Sequence, residues 1–313
     1  MPLQITSIEW CTHKWNPVTG CYHDCPYCYA RSIVRRFGGH YSEELGVNTR
    51  PAVNDGHMVY LDEHDGRGWV HHHEPVMRLI HDEQIMTKAG ILKKAPYPYG
   101  FIPTFHESRL GDPTKHKKTA TVFVGSMTDL FGAWVPDEWI AQVLKACYAA
   151  PQHQYLFLTK NPERLPMSSY IYNDVFDNHP GNFWFGMSIT NQAALNAAYK
   201  RFMNISGNTF LSIEPLHGPI DLTRIDAGDV FYDIAKGIAS WLFGGQKVRS
   251  PGWIIIGAET GNRKGKVVPE RARVEAICAA ADAGGVPVFM KDSLIPIMGE
   301  EGMRRDRPAE LTL

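Results

Sequence analysis

Residues 121–160 read TVFVGSMTDLFGAWVPDEWIAQVLKACYAAPQHQYLFLTK. The stretch opens on the β-branched run TVFVGS (121–126) and closes on the apolar run QYLFLTK (154–160). Between them Pro136-Asp137 precede EWIAQVLKACYAA, where Trp139 or Ile140, Val143, Leu144 and Cys147 recur at the helical period. Strand, helix, strand is the unit this predicts, and it recurs downstream. NFWFGMS (182–188), NTFLSIE (208–214), GWIIIGAE (252–259) and VPVFMK (286–291) are further short apolar runs ending in a small or polar residue. Pro269 opens a second predicted helix before the last run, with Val274, Ile277, Cys278 and Ala281 inward and Gly284-Gly285 as its stop. Most runs lack polar alternation, as strands buried on both faces do. With a further strand at about 13–17, the pattern predicts an α/β fold, a full or partial (β/α) barrel over a single domain spanning residues 1–313. An open doubly wound sheet has the same local pattern. In either case ligands bind beyond the carboxyl ends of the strands.

The 313 residues, 44% hydrophobic and 21% charged, are those of a folded chain with a substantial core. A formal charge of -1 excludes bulk attraction to a polyanion and leaves room for a local basic groove. No apolar run has the length of a membrane span, and the first residues lack the basic-then-apolar order of a secretory signal, so a cytoplasmic protein is expected. Two segments interrupt the repeating unit. Residues 38–118 read as an inserted cap, with a hairpin turning at His64-Asp65-Gly66 and a helix near PVMRLIHDEQIMTKAG. Residues 216–251 read as a smaller excursion, and the terminal EEGMRRDRPAEL as a solvated charged tail. His71-His72-His73 alternate faces on a strand and lack a supporting carboxylate pattern, which argues against a metal there.

Four of the six cysteines, Cys11, Cys21, Cys25 and Cys28, fall within eighteen residues. That is poor disulfide spacing and good metal or cluster spacing. Cys21-x3-Cys25-x2-Cys28 can bind three irons of a [4Fe-4S] cube and leave the fourth iron open. A structural zinc site is the alternative, its fourth ligand drawn from Cys11, His13 or His23, although no second Cys-x2-Cys knuckle exists. Cys147 and Cys278 sit on apolar helical faces and read as core.

The cysteine triplet, with the aromatic Tyr27 immediately before its last cysteine, resembles the signature of radical S-adenosylmethionine enzymes. The chain more closely resembles the phage Gp37/Gp68-like family, a domain of unknown function. The resemblance rests on WNPVTGC (15–21), CYA (28–30), VFVGSMTDLFG (122–132), LTKNPERL (158–165), WFGMSITNQ (184–192), FLSIEPLHGPIDL (210–222), WIIIGAETG (253–261) and PVFMK (287–291). It covers nearly the whole chain apart from about 40–100. The first resemblance implies a barrel carrying a [4Fe-4S] cluster on Cys21, Cys25 and Cys28, with S-adenosyl-L-methionine bound to the open iron and cleaved to a 5'-deoxyadenosyl radical. It also implies an electron donor such as a flavodoxin or ferredoxin. Tyr27 and Tyr29 would lie near cluster or adenine. Ser126, Thr128 and Asp129 stand where the superfamily has a glycine-rich turn holding the methionine amino group, with helix capping as the plainer role for Asp129.

The remaining candidates are polar residues at strand ends. Lys160 can neutralise a carboxylate or phosphate, Asn161 can reach a ribose or base edge, and Ser188 and Asn191 can bind a cofactor ribose. Glu214 and Glu259 follow apolar strands directly, so each lies at a pocket mouth or is buried against a cation such as Lys160 or Lys291. The functional reading gives Glu214 to the cofactor and Glu259, with Lys291 and Lys160, to catalysis. Arg263 and Lys264 are candidate anion contacts. A phage connection favours DNA or a nucleotide as substrate, and the motif order resembles spore photoproduct lyase at the level of fold. Lys94, Lys115, Lys117 and Lys118 would give the insertion a basic flank. The rival function is a zinc-stabilised nucleic-acid-binding or scaffold protein of phage or mobile-element origin.

Overall fold

The computed structural model describes residues 3–37, 57–64, 69–80, 84–86, 92–94, 96–165, 181–202, 205, 207–226, 230–234, 238–241, 244–247 and 250–311. The six apolar runs and the stretch near residue 13 all form strands. They are β2 (His13–Trp15), β9 (Thr121–Val124), β10 (Gln154–Thr159), β11 (Phe183–Ile189), β12 (Asn208–Ile213), β17 (Trp253–Ile256) and β18 (Val288–Met290). Together with β1 (Gln4–Ile5) they make one eight-stranded sheet of order β1-β2-β9-β10-β11-β12-β17-β18. From β2 to β18 every pairing is parallel, and β1 alone is antiparallel. The parallel strands thus follow chain order without the reversal that defines a doubly wound sheet.

Both faces of this sheet are buried, which explains the continuous apolar runs. After the short helices α1 (Tyr29–Phe37) and α2 (Asp112–Lys115) comes α3 (Asp137–Tyr148), whose Trp139, Ile140, Val143, Leu144 and Cys147 pack on one face against Val122, Val124, Tyr155, Phe157, Phe183 and Phe185. Further along that face, Met187, Ile189, Leu211, Ile213, Ile254, Ile256, Val288 and Met290 meet the two helices α4 (Gln192–Phe202) and α5 (Arg271–Ala283). The predicted inward residues of α5, Val274, Ile277, Cys278 and Ala281, are all buried. The alternate positions of the strands, Phe123, Leu156, Trp184, Phe210, Trp253, Ile255 and Phe289, share a separate cluster with Trp10, Cys11 and Leu311.

That last cluster joins the two edges of the sheet. Glu9 accepts the backbone N–H of Asp292 at 2.9 Å, and the Arg307 guanidinium donates to the Glu9 carbonyl at 2.7 Å. The tail segment runs beside β18, where Met290 N–H bonds Arg304 O at 2.8 Å and Asp306 N–H bonds Val288 O at 2.9 Å. Trp253 Nε1–H donates to Asp306 O at 2.9 Å, and Leu311 is buried. The expected solvated tail is therefore a packed element. Its arginines are held by Met290 O, Asp292 and Glu9, and its apolar Leu311 fills the cluster. No ladder among the described residues closes β18 onto β1 or β2.

The region 38–118 contains β4 (His57–His64), β5 (Trp69–Leu79), β6 (Gln84–Met86), β7 (Leu92–Lys94) and β8 (Thr104–His106). β4 and β5 form the expected hairpin, and its turn lies outside the described residues. The helix expected near residues 75–90 is absent from the described part of that stretch. Val76, Met77 and Leu79 instead belong to β5, because β8 offers Met77–Leu79 a parallel partner some 27 residues away, a non-local pairing that helical periodicity cannot reveal. β6 pairs with β7. The sheet β3-β8-β5-β4 includes β3 (Val18–Thr19), so the region is tied by hydrogen bonds to the chain immediately before Cys21. The excursion at 216–251 contains a four-stranded antiparallel meander, β13 (Ile225–Asp226), β14 (Val230–Asp233), β15 (Ile238–Trp241) and β16 (Gly244–Lys247). The side chains of His71, His72, His73 and Lys94 lie outside what is described. Among the described residues no helix is long and apolar enough to cross a membrane.

Candidate functional site

Backbone pairing continues past β2 and delivers the cysteine loop to the carboxyl ends of the sheet. Gly125 N–H bonds Trp15 O at 2.9 Å, Gly20 N–H bonds Met127 O at 2.9 Å, and Cys21 N–H bonds Phe101 O at 3.2 Å. Gly20 has φ +88°, and a Cβ there would lie 2.3 Å from the Ile102 carbonyl oxygen, so only glycine lets the chain turn so tightly before Cys21. Asn16, which sequence reasoning missed, locks the neighbouring turn. Its Oδ1 accepts the Met127 N–H at 3.0 Å and the Ser126 hydroxyl at 3.2 Å. Thr128 Oγ1 donates to Gly20 O at 2.6 Å, and the Tyr29 hydroxyl donates to Ser126 O. Ser126 and Thr128 thus adjoin the cysteine loop, with their side chains engaged in holding it.

Asp129 is more fully committed. Its Oδ1 accepts Phe131 N–H at 3.1 Å, and its Oδ2 accepts Lys160 N–H at 2.8 Å and stands 2.7 Å from His23 Nε2. The carboxylate joins the end of β9, the end of β10 and the cysteine loop.

The side chains at the strand ends follow from pleat parity. Lys160, Ser188, Glu214 and Lys291 each continue the alternation of the inner cluster residues Leu156, Trp184, Phe210 and Phe289, and so fall on that face. Lys160 Nζ donates to Ser188 Oγ at 3.0 Å and to the Tyr27 hydroxyl at 3.3 Å, and lies 5.4 Å from the centre of the Tyr27 ring. Tyr27 meets His217 edge-on with ring centroids 5.1 Å apart. Lys291 pairs with Glu214. Gly257 makes room for this pair, since a Cβ there would be 3.1 Å from the Glu214 carboxyl carbon.

Glu259 is 4% exposed and spoken for. Arg263 contacts both its oxygens at 2.6 and 2.8 Å, and His217 Nε2 approaches Oε2 at 3.2 Å. The Arg263 hydrogen bonds outweigh burial and hold this carboxyl at about 2. The sequence reading turned Glu259 towards substrate, whereas the structure gives it Arg263 and His217 as partners. His217, two residues beyond the Glu214-Pro215 pair, was not singled out from the sequence. Asn191 is exposed and accepts Ala194 N–H at 2.9 Å as the N-cap of α4, a position away from the inner face. Asn161 donates to Phe131 O at 3.1 Å.

Cys21, Cys25 and Cys28 are half-buried on one loop, all as free thiols. Burial raises the Cys21 thiol to about 12, and it raises Cys25 against the opposing pull of Lys160. Cys28 also raises both thiols, after burial. Among the described residues no three Cys, His, Asp or Glu side chains are arranged to hold a metal as they stand. The donor set nonetheless fits an iron–sulfur group. It offers three soft ligands on one short loop, with cationic Lys160 and Arg31 close by to offset thiolate charge. Cys11 is separate, buried in the inner cluster with its thiol raised to about 12 by burial, while Cys147 and Cys278 lie in the outer cores as expected.

Searches of curated proteins and of solved structures found no match to the chain. Comparison with protein families gives a match over residues 5–67 and 81–295. The match takes in the cysteine loop, every parallel strand and much of the region read from the sequence as an insertion, breaking only at 68–80. The chain therefore belongs to the family described as "Protein of unknown function (DUF5131)".

Proposed function

We propose that this protein is a radical S-adenosylmethionine enzyme whose Cys21, Cys25 and Cys28 hold a [4Fe-4S] cluster, and that its sheet is a partial (β/α) barrel of the kind such enzymes use. The observation that carries the reading is the location of the cysteine loop. It follows the first parallel strand and is bound, through Tyr27 and His23, to the carboxyl ends of β10 and β9. The partial-barrel reading is supported by the chain-order strands and by the shared cluster through which residues 9–11 meet Phe289 and Leu311. When bound, cluster and S-adenosylmethionine supply one-electron cleavage of a sulfonium carbon bond to give a 5'-deoxyadenosyl radical. The chain's own contribution is orientation and exclusion of water. Lys160 Nζ, whose hydrogen-bond partners among the described residues are hydroxyls, is suited to receive a carboxylate, and the Glu214–Lys291 pair presents both signs to a zwitterion. The aromatic inner cluster below them is buried. An electron donor of the flavodoxin or ferredoxin kind completes the system. The resemblance to phage Gp37/Gp68-like proteins favours a nucleobase or nucleotide as substrate.

Anaerobic reconstitution with iron and sulfide should give a brown protein with about four irons per chain. Addition of reductant and S-adenosylmethionine should then form 5'-deoxyadenosine, with a yield that DNA or nucleotide raises. Stoichiometric zinc in a colourless protein that takes up no iron would replace this reading with that of a zinc-stabilised nucleic-acid-binding or scaffold protein.

A further inference from the structure

The cysteine motif encloses a residue that its iron chemistry does not require. His23 lies between Cys21 and Cys25, and its Nε2 stands 2.7 Å from Asp129 Oδ2. Asp129 is 5% exposed, and its other bonds are both to backbone, at Phe131 N–H and Lys160 N–H. The carboxylate is therefore fixed to two strand ends independently of His23, and the imidazole is the side chain through which the cysteine loop joins it. The ring is steadied from the side by Trp134, edge-on at 4.8 Å, which also takes Tyr22 edge-on at 5.6 Å. Asp24, next in the chain, has the left-handed φ of 50° and pairs with Arg31 at 2.9 Å. A three-residue gap between cysteines leaves the loop many conformations, and this set of contacts selects one.

From this arrangement we infer that Asp129 and His23 are positioning residues. The Asp129 carboxylate, acting through His23, holds the loop that carries Cys21 and Cys25 against the strand ends at which they would receive a metal group. The inference rests on the cluster reading above for the identity of that group, but the clamp belongs to the chain itself. Residues that hydrogen-bond behind metal ligands act in this way, orienting donors and limiting their motion. The pair also anchors the loop to β10, where Lys160 reaches Tyr27, so that one carboxylate sets both the thiols and the strand-end cation facing them.

The test uses the metal-free full-length chain and a chromogenic disulfide as thiol probe. In His23→Ala the reaction of Cys21 and Cys25 should accelerate about tenfold, the effect of losing one charge-assisted hydrogen bond. Thermal melting and the slow reaction of buried Cys147 should stay unchanged. His23→Gln, which keeps an N–H donor, should restore much of the protection. Asp129→Asn, where the shape is kept, should reproduce His23→Ala. After reconstitution, iron retained against a chelator should fall about ten- to a hundredfold in His23→Ala and recover in His23→Gln. Unchanged thiol reactivity in both His23→Ala and Asp129→Asn would overturn the clamp. So would faster reaction in His23→Ala accompanied by an equal loss for Cys147, because that reports general loosening. Failure of the unaltered protein to take up iron would overturn the cluster reading alone, since thiol reactivity reads the clamp without any metal.

Discussion

At the scale of single residues, the six cysteines separate into two populations by environment. Cys147 has no exposed surface and its thiol is pushed well above its ordinary range by burial, while Cys278 lies on the buried face of α5 with Ala281 and Val274 in the same cluster. Among the described residues neither belongs to a group of three or more Cys, His, Asp or Glu side chains placed to hold a metal. Replacing either by Ala should cost about 1–3 kcal/mol of unfolding free energy through lost packing and leave iron uptake intact. Ala at Cys21, Cys25 or Cys28 should leave the melting curve of the metal-free chain nearly unchanged and abolish stoichiometric iron. Iron analysis alongside chemical denaturation separates these outcomes, and loss of iron on Cys278→Ala alone would reverse the assignment. The spacing of the three cysteines was legible from the chain. The partners of Glu259 were not, because Arg263 and His217 reach it from two different loops after β17 and β12.

At the scale of elements, β11 and β12 approach so closely that one side chain has no space. A Cβ on Gly186 would lie 2.2 Å from the ring of Phe210, directly across the ladder. Phe210 fills that gap between Trp10 and Trp253, at centroid distances of 6.2 and 6.1 Å. Gly186→Ala must move an aromatic ring inside a closed cluster, and overpacking of this kind costs about 1–3 kcal/mol. Near-ultraviolet circular dichroism should show disturbed tryptophan packing in this variant. A spectrum and stability equal to those of the parent would mean that the inner cluster is looser than the contacts indicate. Hydrophobic runs in the chain marked each of these strands, since both of their faces are buried. β5 escaped recognition as a continuous strand because its hydrogen-bond partners are distant, and PVMRL alone satisfies a helical pattern equally well.

At the scale of the whole molecule, acid should act in two stages. Burial lowers His106 well below its usual 6.5 and lowers His153 as well. His13 is lowered first by burial and then by its neighbours His116 and His153, whose rings adjoin in series at 4.6 and 5.6 Å. In all three the folded state binds its proton less readily than the unfolded chain does. Their contribution to stability is therefore present above about 6.5 and is lost as pH falls through and below that value. Glu259 acts lower down. Its carboxyl moves from 4.5 in the unfolded chain to about 2 in the fold, so its contribution stands above 4.5 and disappears as pH falls towards 2. Melting temperature should be flat near pH 7–8, fall below about 6.5, and fall again below about 4.5. Glu259→Gln should weaken the lower step and leave the upper one. A melting temperature equal at pH 7.5 and pH 5 would count against the lowering of His13, His106 and His153 by burial.

What the amino-acid sequence determined by itself was local and repetitive: the apolar strand runs, the faces of α3 and α5, and the cysteine spacing. These are legible because each is a matter of periodicity or spacing within some twenty residues. Tertiary structure alone decided that the strands follow chain order in one sheet and that residues 9–11 meet the tail around Leu311. It also decided that Asp129 serves His23 and two backbone amides. The physical reason is common to all three. A parallel ladder, a shared core and a buried carboxylate each draw their partners from distant parts of the chain. Their energies exist only once those parts have been brought together.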